Sequence, residues 1–209
     1  MNDHGGTDEG TLTLSADTLL LRPWRAEDAP ALLAAYDDPV MRQWVRLPVS
    51  TPEEASRWLE LQHEGWESGT RFSFAVTDAG RGGELVGNLA LKRPGPGSER
   101  AEVGYRTVAR ARGRGVAPRA LEALTDWAFT TFAAEGLVRP ELLHQVDNVA
   151  SCRVAEKAGY AFAEVLGALP PEFPLGGHLH VRRAPSRRAP LSGDPVCPPP
   201  GPATAGSRV

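Results

Sequence analysis

Cysteine is scarce in this chain, and no apolar run approaches the length that a bilayer-crossing helix needs. The cysteines are Cys152 and Cys197. They are too few and too differently placed to suggest a disulfide framework. Cys152 falls inside a short helical stretch and reads as a small packing residue. The opening Met1-Asn2-Asp3-His4-Gly5-Gly6 is polar and acidic where a secretory signal is basic and then apolar. A cytoplasmic location is therefore expected. Charge of one sign is also lacking: the net charge is −3 with 41% hydrophobic residues. That balance argues against a nucleic-acid or membrane partner. No internal repeat is visible. A length of 209 residues suits one ordinary domain with a real core rather than two.

Patterning divides the chain into three. Residues 1–16 carry little apolar pattern and are expected to be mobile. Residues 17–183 form the folded unit. Residues 184–209 are dominated by proline and glycine, end in Pro198-Pro199-Pro200 and a short polar run, and read as a disordered tail. Within the folded unit, Leu19 to Trp24 reads as a strand. Ala29 to Tyr36 continues a first helix, with Pro30 tolerated in its first turn. Ser50-Thr51-Pro52-Glu53-Glu54 is a helix start with a hydroxyl cap, proline and acids in order. Phe72 to Val76 and Leu85 to Leu91 read as strands separated by turn chemistry at Asp78 to Gly83. Phe162 to Leu169 is expected as a strand, and His178 to Arg182 as a last one.

The densest signal is Ala101 to Ala120. Alternation along Ala101, Val103, Tyr105 and Thr107 suits a strand. The loop Arg112-Gly113-Arg114-Gly115-Val116-Ala117 then opens an amphipathic helix through Leu121, Leu124 and Trp127. A glycine-rich turn at a helix start leaves backbone N–H groups aimed at one spot, which the helix dipole makes attractive to anions. Arg110, Arg112 and Arg114 add positive charge. The simplest ligand is a phosphate-bearing cofactor; a basic surface turn is the plainer alternative. The loop lacks the Gly-Lys-Ser/Thr of a nucleotide-hydrolysing loop. Pro118 stands where a dinucleotide fingerprint wants its third glycine.

A second block is Arg139 to Tyr160. A short strand over Glu141 to Val146 stops at Asp147-Asn148. Asn148 is a good N-cap, and Val149 to Lys157 forms a helix closed by Gly159. The pattern Arg112-x-x-Gly115-x-Ala117 resembles the pyrophosphate loop of the GNAT superfamily, the acyl-CoA-dependent N-acetyltransferases. The block Asn148-x-x-Ser151, short helix, then Glu156-Lys157-Ala158-Gly159-Tyr160 resembles the acceptor-side half of that fold. It is similar above all to the branch that contains the ribosomal-protein alanine N-acetyltransferases. Leu19 to Asp28, Phe72 to Val76 and Leu85 to Leu91 resemble that branch's opening and central segments. The resemblance spans roughly Asp17 to Val165. It implies an α/β (α+β) fold with a mixed, mostly antiparallel central sheet flanked by helices. It also implies acetyl-CoA as cosubstrate, held by Val108, Arg110, Arg112, Gly113, Arg114, Gly115, Val116, Ala117, Asn148 and Ser151, and no metal.

Acetyl transfer from a thioester to an amine needs a deprotonated amine, a stabilised oxyanion and a proton for the departing thiolate. The resemblance makes Glu102 the candidate base. The alternative is a solvent-facing strand residue paired with Arg106. In much of the superfamily a tyrosine protonates the thiolate, and the matching position here is Ala155. In the resembled branch a serine takes over, which points to Ser151 as the acid. The alternative is a serine that only hydrogen-bonds in the first helical turn. Asn148 is implied as a contact to the pantetheine side and is also a plain N-cap. His178 and His180 share a strand face, but no third metal ligand stands at recognisable spacing, so they read as ordinary surface histidines. His144 is a core or acceptor-site residue. Trp24, Trp44, Trp58 and Trp66 either line an acceptor pocket or sit in the core.

The expected activity is an acetyl-CoA-dependent N-acetyltransferase acting as a monomer or homodimer on a small amine or a protein N-terminal amine. The alternatives are a non-catalytic CoA-binding sensor or scaffold, and a nucleotide-binding protein using the same loop. Acceptor choice is expected to reside in Ala26 to Glu67 and Gly167 to Gly177.

Overall fold

A computed structural model describes residues 12–43, 49–171 and 174–185. Among them, an eight-stranded sheet runs in the order β1-β2-β3-β4-β5-β6-β8-β7. The strands are β1 (Leu14–Ala16), β2 (Leu19–Pro23), β3 (Arg71–Asp78), β4 (Glu84–Lys92), β5 (Arg100–Thr107), β6 (Arg139–Gln145), β7 (Ala161–Leu166) and β8 (Gly177–Val181). Every neighbouring pair is antiparallel except β5–β6, which is parallel. The mixed, mostly antiparallel sheet is as expected. Its first strand is a correction. Residues 14–16, expected to be mobile, pair with β2, and Leu12, Leu14 and Ala16 pack on the core. A three-residue strand is too short to show a period, which is why the sequence hides it. The strand expected to reach Leu169 stops at Leu166. Trp44 and the end of the chain beyond Pro185 lie outside the described residues.

Five helices accompany the described sheet: α1 (Ala29–Tyr36), α2 (Pro39–Gln43), α3 (Pro52–Glu67), α4 (Val116–Thr131) and α5 (Val149–Lys157). α3 starts where its cap residues dictate. Thr51 Oγ1 accepts from the Glu54 N–H at 3.2 Å, and the Glu54 carboxylate accepts from the Thr51 N–H at 3.2 Å. Its buried residues Ala55, Leu59, Gln62 and Trp66 follow helical spacing. Gln62 is a polar group inside this interface, and it is satisfied. Its amide donates to the Trp58 carbonyl and accepts from Arg71 Nε and Ser73 Oγ. Gly65 permits the close approach of α3 to β3, because a Cβ there would stand 2.8 Å from the Cβ of Arg71.

α4 buries Val116, Ala120, Leu121, Leu124 and Ala128 as one stripe. Leu121 and Leu124 are fully buried, each contributing about 1.5–3 kcal/mol relative to exposure. Thr125 on the same face meets the Tyr160 hydroxyl at 2.6 Å. Burial pushes the Tyr160 phenol up to about 12, so this link stays neutral. Trp66, Phe72, Phe74, Trp127 and Phe132 form an aromatic cluster with mostly edge-on ring pairs. Trp24 and Trp66 are therefore core residues, and Trp58 packs edge-on against Trp24 at 5.1 Å.

Candidate active site

The site begins with a break in the sheet. β5 and β6 pair in parallel from Arg100↔Arg139 to Val103↔Leu142 and no further, although both strands continue. Beyond Val103 the backbone groups that β5 turns towards β6 lose their ladder partners. The strands splay into a notch. A cavity of about 360 Å³ opens towards the start of α4, and one of about 420 Å³ opens on the other side. Tyr105, Arg106, Asn148 and Ser151 line both.

The smaller cavity faces the helix start expected to take an anion. Gly115 caps α4 with φ 72° and supplies no side chain, so the first N–H groups of the helix carry no side-chain cap. Gly113 takes a similar backbone, φ 73°. Arg112, Gly113, Gly115, Val116 and Ala117 line this cavity. Asn148 and Ser151 line it too, whereas Val108, Arg110 and Arg114 lie elsewhere. Val108 is buried in the core. Arg110 pairs with Glu84 and donates to the Leu85 carbonyl at 3.1 Å. Arg114 stands 3.6 Å from Asp78. Arg112 pairs with Asp38 while remaining on the lining. Sequence reasoning passed over Arg153 and Lys157, which bring positive charge from α5 to the facing wall. Their spacing of four on one helix was the available signal.

At the seam, Asn148 Oδ1 accepts from the Ser151 N–H at 3.2 Å, as a helix cap should. That leaves its amide NH₂ to donate into the cleft. Ser151 Oγ lies 2.9 Å from the Tyr105 hydroxyl. Burial holds the Tyr105 phenol above its ordinary range, so at neutral pH it carries its proton. The sequence pattern identified Tyr105 as a strand residue; its role at the seam depends on α5 docking across the splay, which no local pattern encodes.

The larger cavity is lined on the sheet side by Arg71, Lys92, Glu102 and Arg106. Glu102 is about half exposed and pairs with Lys92 Nζ on β4, not with Arg106. Arg106 instead donates to the Tyr36 hydroxyl. Arg71 donates to Gln62, and burial together with the nearby Arg106 lowers its pKa. Neither arginine forms an ion pair among the described residues. Leu169, Leu175 and Gly176 close the rim from the segment expected to influence acceptor choice. Among the described residues no tryptophan lines this cavity; Trp24 and Trp58 border a separate small space with Tyr36.

Two further corrections concern the cavity's edge. His180 is not a surface residue: it is 1% exposed. Cys152 is more than filler, because its sulfur stands 3.4 Å from His144 Nε2 and 3.3 Å from His178 Nδ1. Burial holds both His144 and His180 below the usual imidazole range.

A splayed sheet with an uncapped helix start on one side and a charged cavity on the other suits an enzyme that moves a group from an anionic carrier. The Acetyltransferase (GNAT) domain family model matches residues 18–161, and the chain belongs to that family of N-acetyltransferases. The chain is 28% identical over 137 residues to an N-acetyltransferase of Bacillus licheniformis called p20, itself uncharacterised; the match covers 62% of this chain and 74% of that one. The fold is shared with RimL, a ribosomal L7/L12 alpha-N-protein acetyltransferase solved with coenzyme A. The TM-score is 0.74 at 19% identity, covering 82% of this chain and 98% of that one. It is also shared with a ribosomal-protein-S5-alanine acetyltransferase of Vibrio fischeri, TM-score 0.68 at 18% identity, covering 82% and 96%.

Proposed function

We propose that the protein transfers an acetyl group from acetyl-CoA to a primary amine by direct attack within a ternary complex. The observation that carries this reading is the meeting of two cavities at the Tyr105–Ser151 hydroxyl pair. The cofactor's pyrophosphate belongs at the α4 start, under Gly113, Gly115 and Val116, with Arg112, Arg153 and Lys157 around it. Its pantetheine arm runs along the splayed edge of β5 past Asn148. The thioester then lies at the seam, where unpaired β5 N–H groups serve as oxyanion donors. The amine enters from the larger cavity. Glu102 takes its proton, directly or through water, and the Ser151 hydroxyl, backed by Tyr105, supplies the thiolate's proton. Atoms balance without a covalent enzyme intermediate: the new C–N bond replaces the C–S bond, and products are amide and CoA thiol.

The acceptor is an amine with an anionic group nearby. Among the described residues, Arg71, Lys92 and Arg106 line its cavity against one carboxylate, that of Glu102, and neither arginine forms an ion pair. The RimL relative acts on a protein N-terminus, so a peptide amine and a free amino acid-like amine are both arms of the test. CoA release is measured with acetyl-CoA and a panel of neutral, cationic and anionic amines. Faster release with anionic amines is the expected result. A chain that binds acetyl-CoA but releases no CoA above the amine-free rate with any acceptor is a sensor or scaffold instead.

A further inference from the structure

Three imidazoles and a thiol converge at the edge of the acceptor cavity, from β6, α5 and β8. We propose that His144, Cys152, His178 and His180 together bind one divalent transition-metal ion of the zinc type, in a four-coordinate site of three histidines and one cysteine. Their nearest donor atoms all lie within 4.8 Å of one another. Tetrahedral zinc, with metal–nitrogen distances of about 2.0–2.1 Å and metal–sulfur of about 2.3 Å, sets neighbouring donors roughly 3.3–3.6 Å apart. Sulfur–nitrogen separations of 3.4 Å to His144 Nε2 and 3.3 Å to His178 Nδ1 come within about 0.3 Å of two edges of that figure, with Cys152 at the shared corner.

Sheet register makes the cluster. His144 sits directly opposite His178 in the β6–β8 ladder, so both side chains leave the same face. His180, two residues along, leaves that face too. α5 packs against β8 and brings Cys152 down from its first turn. The ligands are thus far apart in sequence, which is why no spacing motif announces them. The tautomer of His144 is also fixed. Its Nδ1 lies 2.8 Å from the Gln145 carbonyl, so that nitrogen carries the proton and Nε2 turns its lone pair to the sulfur.

Hydrogen bonding inside the protein leaves the cluster incomplete. The thiol has one proton to donate and two imidazole nitrogens within reach. His180 is buried, and neither of its ring nitrogens makes a hydrogen bond of good geometry. Burying a ring nitrogen without such a bond is costly. A metal ion takes one lone pair from each of the four groups at once, and the thiol proton is released as the sulfur–metal bond forms. The bound ion ties the first turn of α5 to the β6–β8 pair. That turn carries Ser151, so the site holds the seam hydroxyl in register with Tyr105.

The test uses the full chain, stripped with a chelator, in a Cys197→Ser background that removes the only other cysteine. Titration with cobalt(II) should saturate at one equivalent per chain. It should bring up a thiolate-to-cobalt charge-transfer band and the visible bands of tetrahedral cobalt, and zinc should displace both. Zinc should also raise the melting temperature of the stripped parent. Cys152→Ser should lose the charge-transfer band, and His178→Asn should weaken cobalt binding at least tenfold. A folded, stripped parent that binds no stoichiometric cobalt overturns the proposal, as does a charge-transfer band that survives in Cys152→Ser. None of these readouts depends on acetyl transfer, so the failure of either reading leaves the other standing.

Discussion

The Tyr105 hydroxyl lies 2.9 Å from the Ser151 hydroxyl, joining the middle of the sheet to the first turn of α5 across the splay. Burial keeps the phenol protonated well past neutrality, so in the proposed reaction the pair holds a proton for the departing thiolate. A general acid is typically worth 10²–10⁴-fold. Ser151→Ala should therefore lower kcat by about 10²-fold or more. Tyr105→Phe should lower it less, because Ser151 keeps its own proton. Acetyl-CoA affinity should stay within about twofold in both, measured by calorimetric titration. Asn148→Ala is the contrast: it removes a helix cap worth about 1 kcal/mol and a cleft donor, so both cofactor affinity and thermal stability should fall. If Ser151→Ala costs melting temperature alone, the serine is a helix-turn residue and the thiolate leaves without it.

Gly115 tests the cofactor loop. Its φ of 72° lies where L side chains are strained, yet a Cβ there meets nothing closer than Arg119 Nε at 3.9 Å. Space is not the constraint; backbone strain and charge are. Gly115→Ala should cost about 1–2 kcal/mol of stability while still binding acetyl-CoA. Gly115→Glu adds a negative charge against the uncapped helix start and should abolish binding. A calorimetric isotherm for Gly115→Glu that matches the parent would place the pyrophosphate elsewhere.

What was legible in the sequence was local. The cap at Thr51, the glycines before α4 and the Asn148 cap of α5 each declare themselves within a few residues, and the structure puts α1 and α5 on their expected bounds. The fold class followed from several such segments in order. What was not legible was pairing across distance. Glu102 turns to Lys92 because β4 places Lys92 directly opposite it in register, whereas the chain suggested Arg106 four residues on. Arg110 and Arg114 belong to the loop in sequence but turn to Glu84 and Asp78 in space. Arg153 and Lys157 join the anion side only because α5 folds back over the notch. The His144–Cys152–His178–His180 cluster is the extreme case, assembled wholly by strand register and helix docking.

Glu102 is the proposed base. Its carboxylate lines the acceptor cavity beside Lys92 and is open to the amine from solvent. Glu102→Gln keeps the shape and removes the proton acceptor. It should lower kcat at neutral pH by roughly 10²–10⁴-fold. The loss should shrink as pH rises, because more of the amine is then already unprotonated and needs no base. A pH–rate profile for the variant parallel to that of the parent would remove Glu102 from proton transfer.

Arg71 and Arg106 are the proposed acceptor-selecting residues. Their guanidinium groups donate to neutral partners, Gln62 and Tyr36, so their charge is not cancelled by an ion pair among the described residues. Charge contacts to a part of the ligand away from the reacting atoms act on ground state and transition state alike, and removing them raises KM with little change in kcat. Arg71→Met should therefore raise KM for an amine bearing a carboxylate by about tenfold, a loss of about 1.4 kcal/mol. It should leave KM for a neutral amine of the same size almost unchanged. Because Arg71 also braces Gln62 beneath α3, the variant should melt lower, which alone would not separate recognition from support. Arg71→Lys makes the separation: it keeps the charge, loses the planar Nε donor to Gln62, and should recover most of the affinity for the anionic amine. Equal loss for anionic and neutral amines in Arg71→Met would show that the cavity reads shape, and that the arginine pair serves the sheet rather than the acceptor.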